Sequence, residues 1–285
     1  MNAIWITGAG GQLGRELQRK LARRRSVFAT DAELDICDAA AVESFMAAHN
    51  IRTIVNCAAY TNVEGAESDI QRCYSINHLG VKTLAEAALK ADAALIQIST
   101  DYVFDGQKRS AYKESDRPAP LCVYGSSKLA GEKAMQQVGC KGIIIRTAWL
   151  YSPFGKNFMK TMASLGAARD VVNVVCDQIG SPTAADSLAE AIVKTVGRAG
   201  EYRGEVYHFS GRGACSWSDF AAAIMHCAGN RCRVVDIKSD EYPQKATRPK
   251  YSFLDCAKIA RDFGITPEPW QSALERNMRR YKRSL

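Results

Sequence analysis

Through the first half of the chain, short apolar runs alternate with stretches in which apolar residues recur at helical spacing. The runs Ala3–Thr7, 27–30, 52–56, Ala94–Thr100 and 142–147 are largely apolar on both faces, as strands buried inside a parallel sheet must be. Between them a helical period runs over 15–21, through Val42, Phe45 and Met46, over 64–90, and onward from Tyr124. Strand and helix in strict alternation predict the α/β class, with a Rossmann-like doubly wound parallel sheet and right-handed crossovers over residues 1–150. After Trp149 the segments shorten and turns multiply. A helix is expected at 157–169, a strand at Val171–Val175, a helix at 185–198 and a strand at 206–210, with the last two returning to the main sheet. Helices at Trp217–Ala228, 255–263 and 270–281 complete a smaller lobe, so residues 151–285 are expected mainly to bind substrate and to lean over the strand ends.

Composition changes this picture little. The net charge of +8 comes from scattered basic residues, denser only at Arg23-Arg24-Arg25 and in the tail 279–283, which reads as a solvated helix end. No basic helix with interleaved aromatics is present, so a nucleic-acid partner is not expected, and an acidic small molecule suits the charge equally well. The ten cysteines form no CxxC pair, and Cys57, Cys73, Cys176 and Cys227 stand in apolar settings that suggest small buried hydrophobes. With no signal-peptide pattern and no apolar run near ~18 residues, the expected setting is a reducing cytoplasm, away from membranes. The four histidines lack ligand spacing, so no catalytic transition metal is expected.

The chemistry concentrates at predicted strand ends. Ala3–Thr7 runs into a loop carrying Gly8, Gly11 and Gly14 and then into a helix, the order that lets backbone approach a pyrophosphate and meet its charge with free N–H groups. Asp31 ends the second strand, placed to accept hydrogen bonds from an adenosine ribose; the arginines at 23–25 could instead serve a 2′-phosphate. The third strand enters a loop of small residues, Cys57-Ala58-Ala59-Tyr60-Thr61-Asn62-Val63-Glu64, suited to close approach of a cofactor. The strand Ala94–Thr100 delivers Ser99-Thr100-Asp101-Tyr102, and Tyr124 and Lys128 follow four apart on one helix face. Tyr124 can act as general acid toward a carbonyl oxygen, Lys128 can lower its pKa, and Thr100 can orient the same oxygen.

The glycine loop, the Thr100 run and the Tyr124/Lys128 pair together resemble the extended short-chain dehydrogenase/reductases. Further runs are similar to the dTDP-4-dehydrorhamnose reductase family: 58–67, 124–132, 146–151, Asn157-Phe158 and 177–183. The resemblance implies reduction of a 4-keto nucleotide sugar with NADPH or NADH. It implies that Gly11, Gln12 and Leu13 touch the pyrophosphate, Asp31, Asp35 and Ile36 the adenosine, and Ala59, Tyr60 and Thr61 the rest of the cofactor, with Gly8 and Gly14 shaping the loop. Thr100 and Asp101 would also contact the sugar nucleotide, and Trp149 would pack on the sugar. Some relatives dimerise around Mg2+ held by glutamates, one in the position of Glu16; the basic run 276–280 here argues against that metal and leaves monomer or homodimer open. A nucleotide-sugar dehydratase is the nearest rival, yet Tyr102 stands where such enzymes carry a glutamate. An epimerase that reuses its own cofactor and a non-catalytic cofactor-binding subunit are also compatible with these motifs.

Overall fold

The computed structural model describes residues 3–22 and 26–284, so the arginines at 23–25, a candidate 2′-phosphate site, lie outside the described residues. The first strands and helices are β1 (Ala3–Thr7), α1 (Gln12–Leu21), β2 (Val27–Ala29), α2 (Ala39–Ala48) and β3 (Ile51–Asn56). Three helical segments follow, α3 (Val63–Ala66), α4 (Ile70–Tyr74) and α5 (Gly80–Lys90), the last two joined by a π-helical turn at Ser75–Leu79. Next come β4 (Ala94–Thr100), a 3₁₀ turn at Asp101–Val103, α6 (Val123–Val138), β5 (Lys141–Thr147) and β6 (Leu150–Tyr151). The remainder comprises α7 (Phe158–Ala168), β7 (Val171–Val175), β8 (Ile179–Gly180), β9 (Thr183–Ala184), α8 (Ala185–Thr195), β10 (Arg203–His208), β11 (Cys215–Ser216), α9 (Trp217–Ala228), β12 (Arg233–Ile237), α10 (Ala257–Phe263) and α11 (Trp270–Lys282).

Six parallel strands form the main sheet in the order β10-β5-β4-β3-β1-β2. The order reverses between β1 and β3, which opens a crevice at their carboxyl ends. One face of the sheet is covered by α1, α8 and α10, through Leu17, Leu188, Ile192 and Ile259, and the other by α2, α5 and α6, through Val42, Leu84 and Met135. Burial on both faces explains why the strand sequences read as nearly continuous apolar runs. A separate apolar cluster ties α7, α9, β7 and α11 together around Phe220, Ile224, Met159 and Leu274.

Two expectations are corrected. The single helix expected over 64–90 is broken: Ser68 and Asp69 both donate backbone N–H to the Gly65 carbonyl and close α3, and the chain restarts at α4. Helical periodicity cannot register this break, because the closing bonds use backbone groups. Of the four cysteines expected to be buried, only Cys73 is; Cys57, Cys176 and Cys227 are half-buried. Cys57 follows β3 directly and faces the open crevice.

Candidate active site

The crevice is a cleft of ≈ 1030 Å³ along the carboxyl ends of the main strands. Gly8 has a φ of 61°, and a Cβ there would lie 2.6 Å from the Ala58 amide nitrogen, so the loops after β1 and β3 meet backbone to backbone. Gly14 is constrained as well, since its Cβ would fall 2.4 Å from the Gly8 carbonyl oxygen. Gly11 caps α1 without any side-chain hydrogen bond, which leaves the first helical N–H groups to meet an anion. Asp31 leans back over the same loop and accepts from the Gly10 amide at 3.2 Å. Glycine cradle, uncapped helix start and carboxylate together fit a dinucleotide.

Gly8, Gly11, Gln12, Leu13 and Gly14 line the cleft beside Asp31, Asp35 and Ile36, with Ala59 and Thr61 from the loop after β3. Thr100, Asp101, Tyr124, Lys128 and Trp149 line it too, so segments from five strand ends converge on one space. Tyr60 does not line it. Its backbone N–H donates to Asn77 Oδ1 at 2.9 Å and its carbonyl accepts from Asn77 Nδ2 at 3.1 Å, while its hydroxyl lies against Gly65 in α3. Gln12 departs from a purely phosphate-facing part, because its Oε1 accepts from Ser152 Oγ and Asn157 Nδ2, each at 3.0 Å. The cofactor loop is thereby tied to the chain beyond β6.

The reacting groups are placed by α6. Cys122 caps it, with Sγ accepting from the Gly125 amide at 3.5 Å, and Val123 N–H donates to Glu67 Oε1 at 2.9 Å. Gly125 is required for packing: a Cβ would fall 2.2 Å from the Tyr102 carbonyl oxygen, so only glycine lets α6 press against the Asp101–Val103 turn. That pressure brings the Tyr124 phenol beside the Thr100 hydroxyl. Thr100 Oγ1 also accepts from the Tyr102 amide at 3.2 Å and donates to Asp101 Oδ1 at 3.0 Å.

Burial controls the electrostatics. It holds the Tyr124 phenol well above the ordinary tyrosine range, and the strongest opposing group is the Thr100 hydroxyl. The ammonium of Lys128, one turn along the same helix, donates to the Ile98 carbonyl at 2.6 Å. Burial likewise pulls Lys128 down to about 8, with Glu132 the strongest group holding its proton. Asp101, 2% exposed, is pushed up to about 6 by burial, opposed by the Ser252 and Thr100 hydroxyls.

Trp217 escaped the sequence reading, whereas Arg248 was a candidate there for a phosphate of the nucleotide diphosphate. Trp217, the first residue of α9, stacks on Trp149 with ring centroids 3.6 Å apart and planes at 9°. No local pattern marks it, because the pairing joins two distant segments. Arg248 lines the cleft with Nη2 donating to Glu64 Oε1 at 2.8 Å and a buried Nε that has no partner. Glu16, the position associated with a shared magnesium ion, is fully buried, and its carboxylate holds Arg19 Nε at 2.9 Å and Arg280 Nη2 at 2.7 Å. Two guanidiniums on one carboxylate do not fit a divalent cation, and no group of three or more His, Cys, Asp or Glu side chains arranged for a metal occurs among the described residues. Nor is any described helix long and apolar enough to cross a membrane.

The family model described as RmlD substrate binding domain matches residues 1–283. A dTDP-4-dehydrorhamnose reductase of Aggregatibacter actinomycetemcomitans is 44% identical over 295 residues, covering 99% of each chain. A crystal structure of a dTDP-4-dehydrorhamnose reductase from Clostridium acetobutylicum superposes with a TM-score of 0.94 at 39% identity, covering 98% of this chain and 99% of that one. The Bacillus anthracis enzyme, solved in complex with NADP, gives 0.93 at 38% identity, covering 98% and 100%. Matched along nearly its whole length in sequence and in fold, the chain belongs to the RmlD substrate binding domain family.

Proposed function

We propose that this protein is a dTDP-4-dehydrorhamnose reductase that uses NAD(P)H to reduce the 4-keto group of dTDP-4-dehydro-β-L-rhamnose, giving dTDP-L-rhamnose. The observation that carries this reading is the convergence of Tyr124, Thr100 and Lys128 with the glycine cradle in one cleft of a reductase-family chain. A bound dihydronicotinamide would supply hydride to the ketone carbon. The chain supplies the proton and the geometry. Tyr124 protonates the emerging alkoxide, Thr100 orients the same oxygen, and Lys128, buried one turn along α6, provides positive charge at the back of the site.

Gly8, Gly11, Gln12, Leu13 and Gly14 would hold the pyrophosphate against the start of α1, and Asp31, Asp35 and Ile36 would border the adenosine. Ala59 and Thr61 would flank the remainder of the cofactor, while Tyr60, its backbone bonded to Asn77, supports the loop between them. Asp31 suits an unmodified ribose and favours NADH, whereas the relative from Bacillus anthracis was solved with NADP. Residues 151–285 mainly form the substrate lobe, with α8, β10 and α10 returning to the main sheet; the Trp149/Trp217 stack offers an aromatic wall to the sugar and Arg248 a guanidinium to the diphosphate.

NADH and NADPH oxidation measured side by side with dTDP-4-dehydro-β-L-rhamnose tests the reading. Stoichiometric consumption of one nicotinamide per sugar supports it. Absence of consumption with both, while the protein still binds dinucleotide, refutes it in favour of a non-catalytic binder.

A further inference from the structure

Behind the cleft lies a charged group that neither hydride nor proton transfer uses. Glu132 is 2% exposed on α6, one turn beyond Lys128. Arg146 of β5, 3% exposed, grips it with two bonds, Nε to Oε1 at 2.9 Å and Nη2 to Oε2 at 2.6 Å. Ser99 Oγ, adjacent to Thr100 on β4, adds a third bond to Oε1 at 2.5 Å. Two partners fix the carboxylate through three bonds, and the i,i+4 spacing places it on the same helix face as the lysine. Arg146 and Ser99 face each other in the β4–β5 register, so the sheet itself sets the carboxylate's position.

We propose that Glu132 is a positioning residue for turnover, a buried counter-charge that keeps the Lys128 ammonium protonated at the back of the cleft. The row runs Arg146, Glu132, Lys128, alternating in sign through a dry interior where an unpaired ammonium would shed its proton. The other titratable groups near Lys128 are Tyr124, one turn earlier on α6 and kept neutral by burial, Cys57, at the end of β3, and Cys73, on α4; β4 contributes the Ile98 carbonyl. Both thiols are held far above neutral by burial, so neither is a standing negative charge. Glu132 is thus the anion left to balance the lysine. It also explains why so costly an ion pair sits inside the fold: breaking it removes a counter-charge, whereas a well-packed apolar pair would give stability alone.

The inference rests on the proposed part of Lys128 in the reaction, and the experiment separates the two. Full-length protein labelled with 13Cε-lysine is titrated by NMR, with the Lys128 signal assigned by its loss in Lys128→Met, alongside pH profiles of kcat/KM. In Glu132→Gln the Lys128 midpoint is expected to fall by at least about one pH unit, roughly tenfold in proton affinity, and the alkaline limb of kcat/KM to fall with it. Because Glu132→Gln strands Arg146, the double variant Glu132→Gln/Arg146→Met guards against misfolding; removing the guanidinium as well should move the midpoint part of the way back up. An unmoved Lys128 midpoint in both variants overturns the proposal, since a merely structural pair would change melting temperature alone. A shifted midpoint with an unmoved alkaline limb overturns the part assigned to Lys128, and the role of Glu132 with it.

Discussion

Asp101 shows how burial sets chemistry at a single residue. Its folded-state pKa, about 6, stands above that of an unfolded aspartate, so the carboxyl contributes stability that is intact below about pH 4 and lost as pH rises through about 6. Two units of displacement correspond to about 3 kcal/mol. Asp101→Asn, which never ionises, should therefore gain stability relative to the native chain as pH rises from about 4 to about 7. Urea unfolding of both proteins across that range measures the gap, and a gap independent of pH would contradict the assignment. At Tyr124, replacement by Phe should leave dinucleotide binding nearly unchanged and lower turnover by about 10²–10⁴-fold. Single-turnover kinetics with binding measured separately checks both halves. Trp149 shows what a residue reading misses: it holds a φ of 47°, a conformation uncommon for a bulky residue, and packs against Trp217 and Gly180. The aromatic was visible in the sequence; its partner and its backbone conformation were not.

At the scale of elements, the strands were legible because a parallel sheet buries both faces and writes that burial as apolar runs. Ala3–Thr7, Ala94–Thr100 and Val171–Val175 form with the bounds expected of them. Helix interruptions were not legible. The π-helical turn at Ser75–Leu79 places Asn77, 1% exposed, where its amide clamps the Tyr60 backbone and donates to Ser127 Oγ at 3.0 Å. Ser127 in turn donates to the Tyr124 carbonyl at 2.7 Å, so Asn77 links the loop after β3 to the helix carrying the phenol. Asn77→Ala should strand buried donors and acceptors and cost about 2 kcal/mol, with kcat lowered more than dinucleotide affinity. Chemical denaturation and steady-state kinetics together report this, and a stable variant of unchanged kcat would show that the link is idle.

Across the whole molecule, the amide of Gln12 and the guanidiniums of α11 join the sheet to the later chain. Gln12 bonds Ser152 and Asn157, and Arg280 reaches both Glu16 on α1 and Asp186 on α8, at 2.7 and 3.4 Å. Dinucleotide binding at the start of α1 should therefore slow amide exchange in α7, just beyond Asn157, and Gln12→Ala should abolish that protection. Hydrogen exchange with and without NADPH reads it directly; protection surviving in Gln12→Ala would place the coupling elsewhere. Local sequence by itself determined the alternation of strands and helices, the glycine loop and the i,i+4 pairing of Tyr124 with Lys128, because each follows from backbone geometry over a few residues. Only the tertiary structure decided that Gln12 spans to the later chain, that Arg280 occupies Glu16, that Trp217 faces Trp149 and that Glu132 is clamped behind Lys128. Those contacts join residues far apart in the chain, and no periodicity records which side chains a sheet will bring face to face.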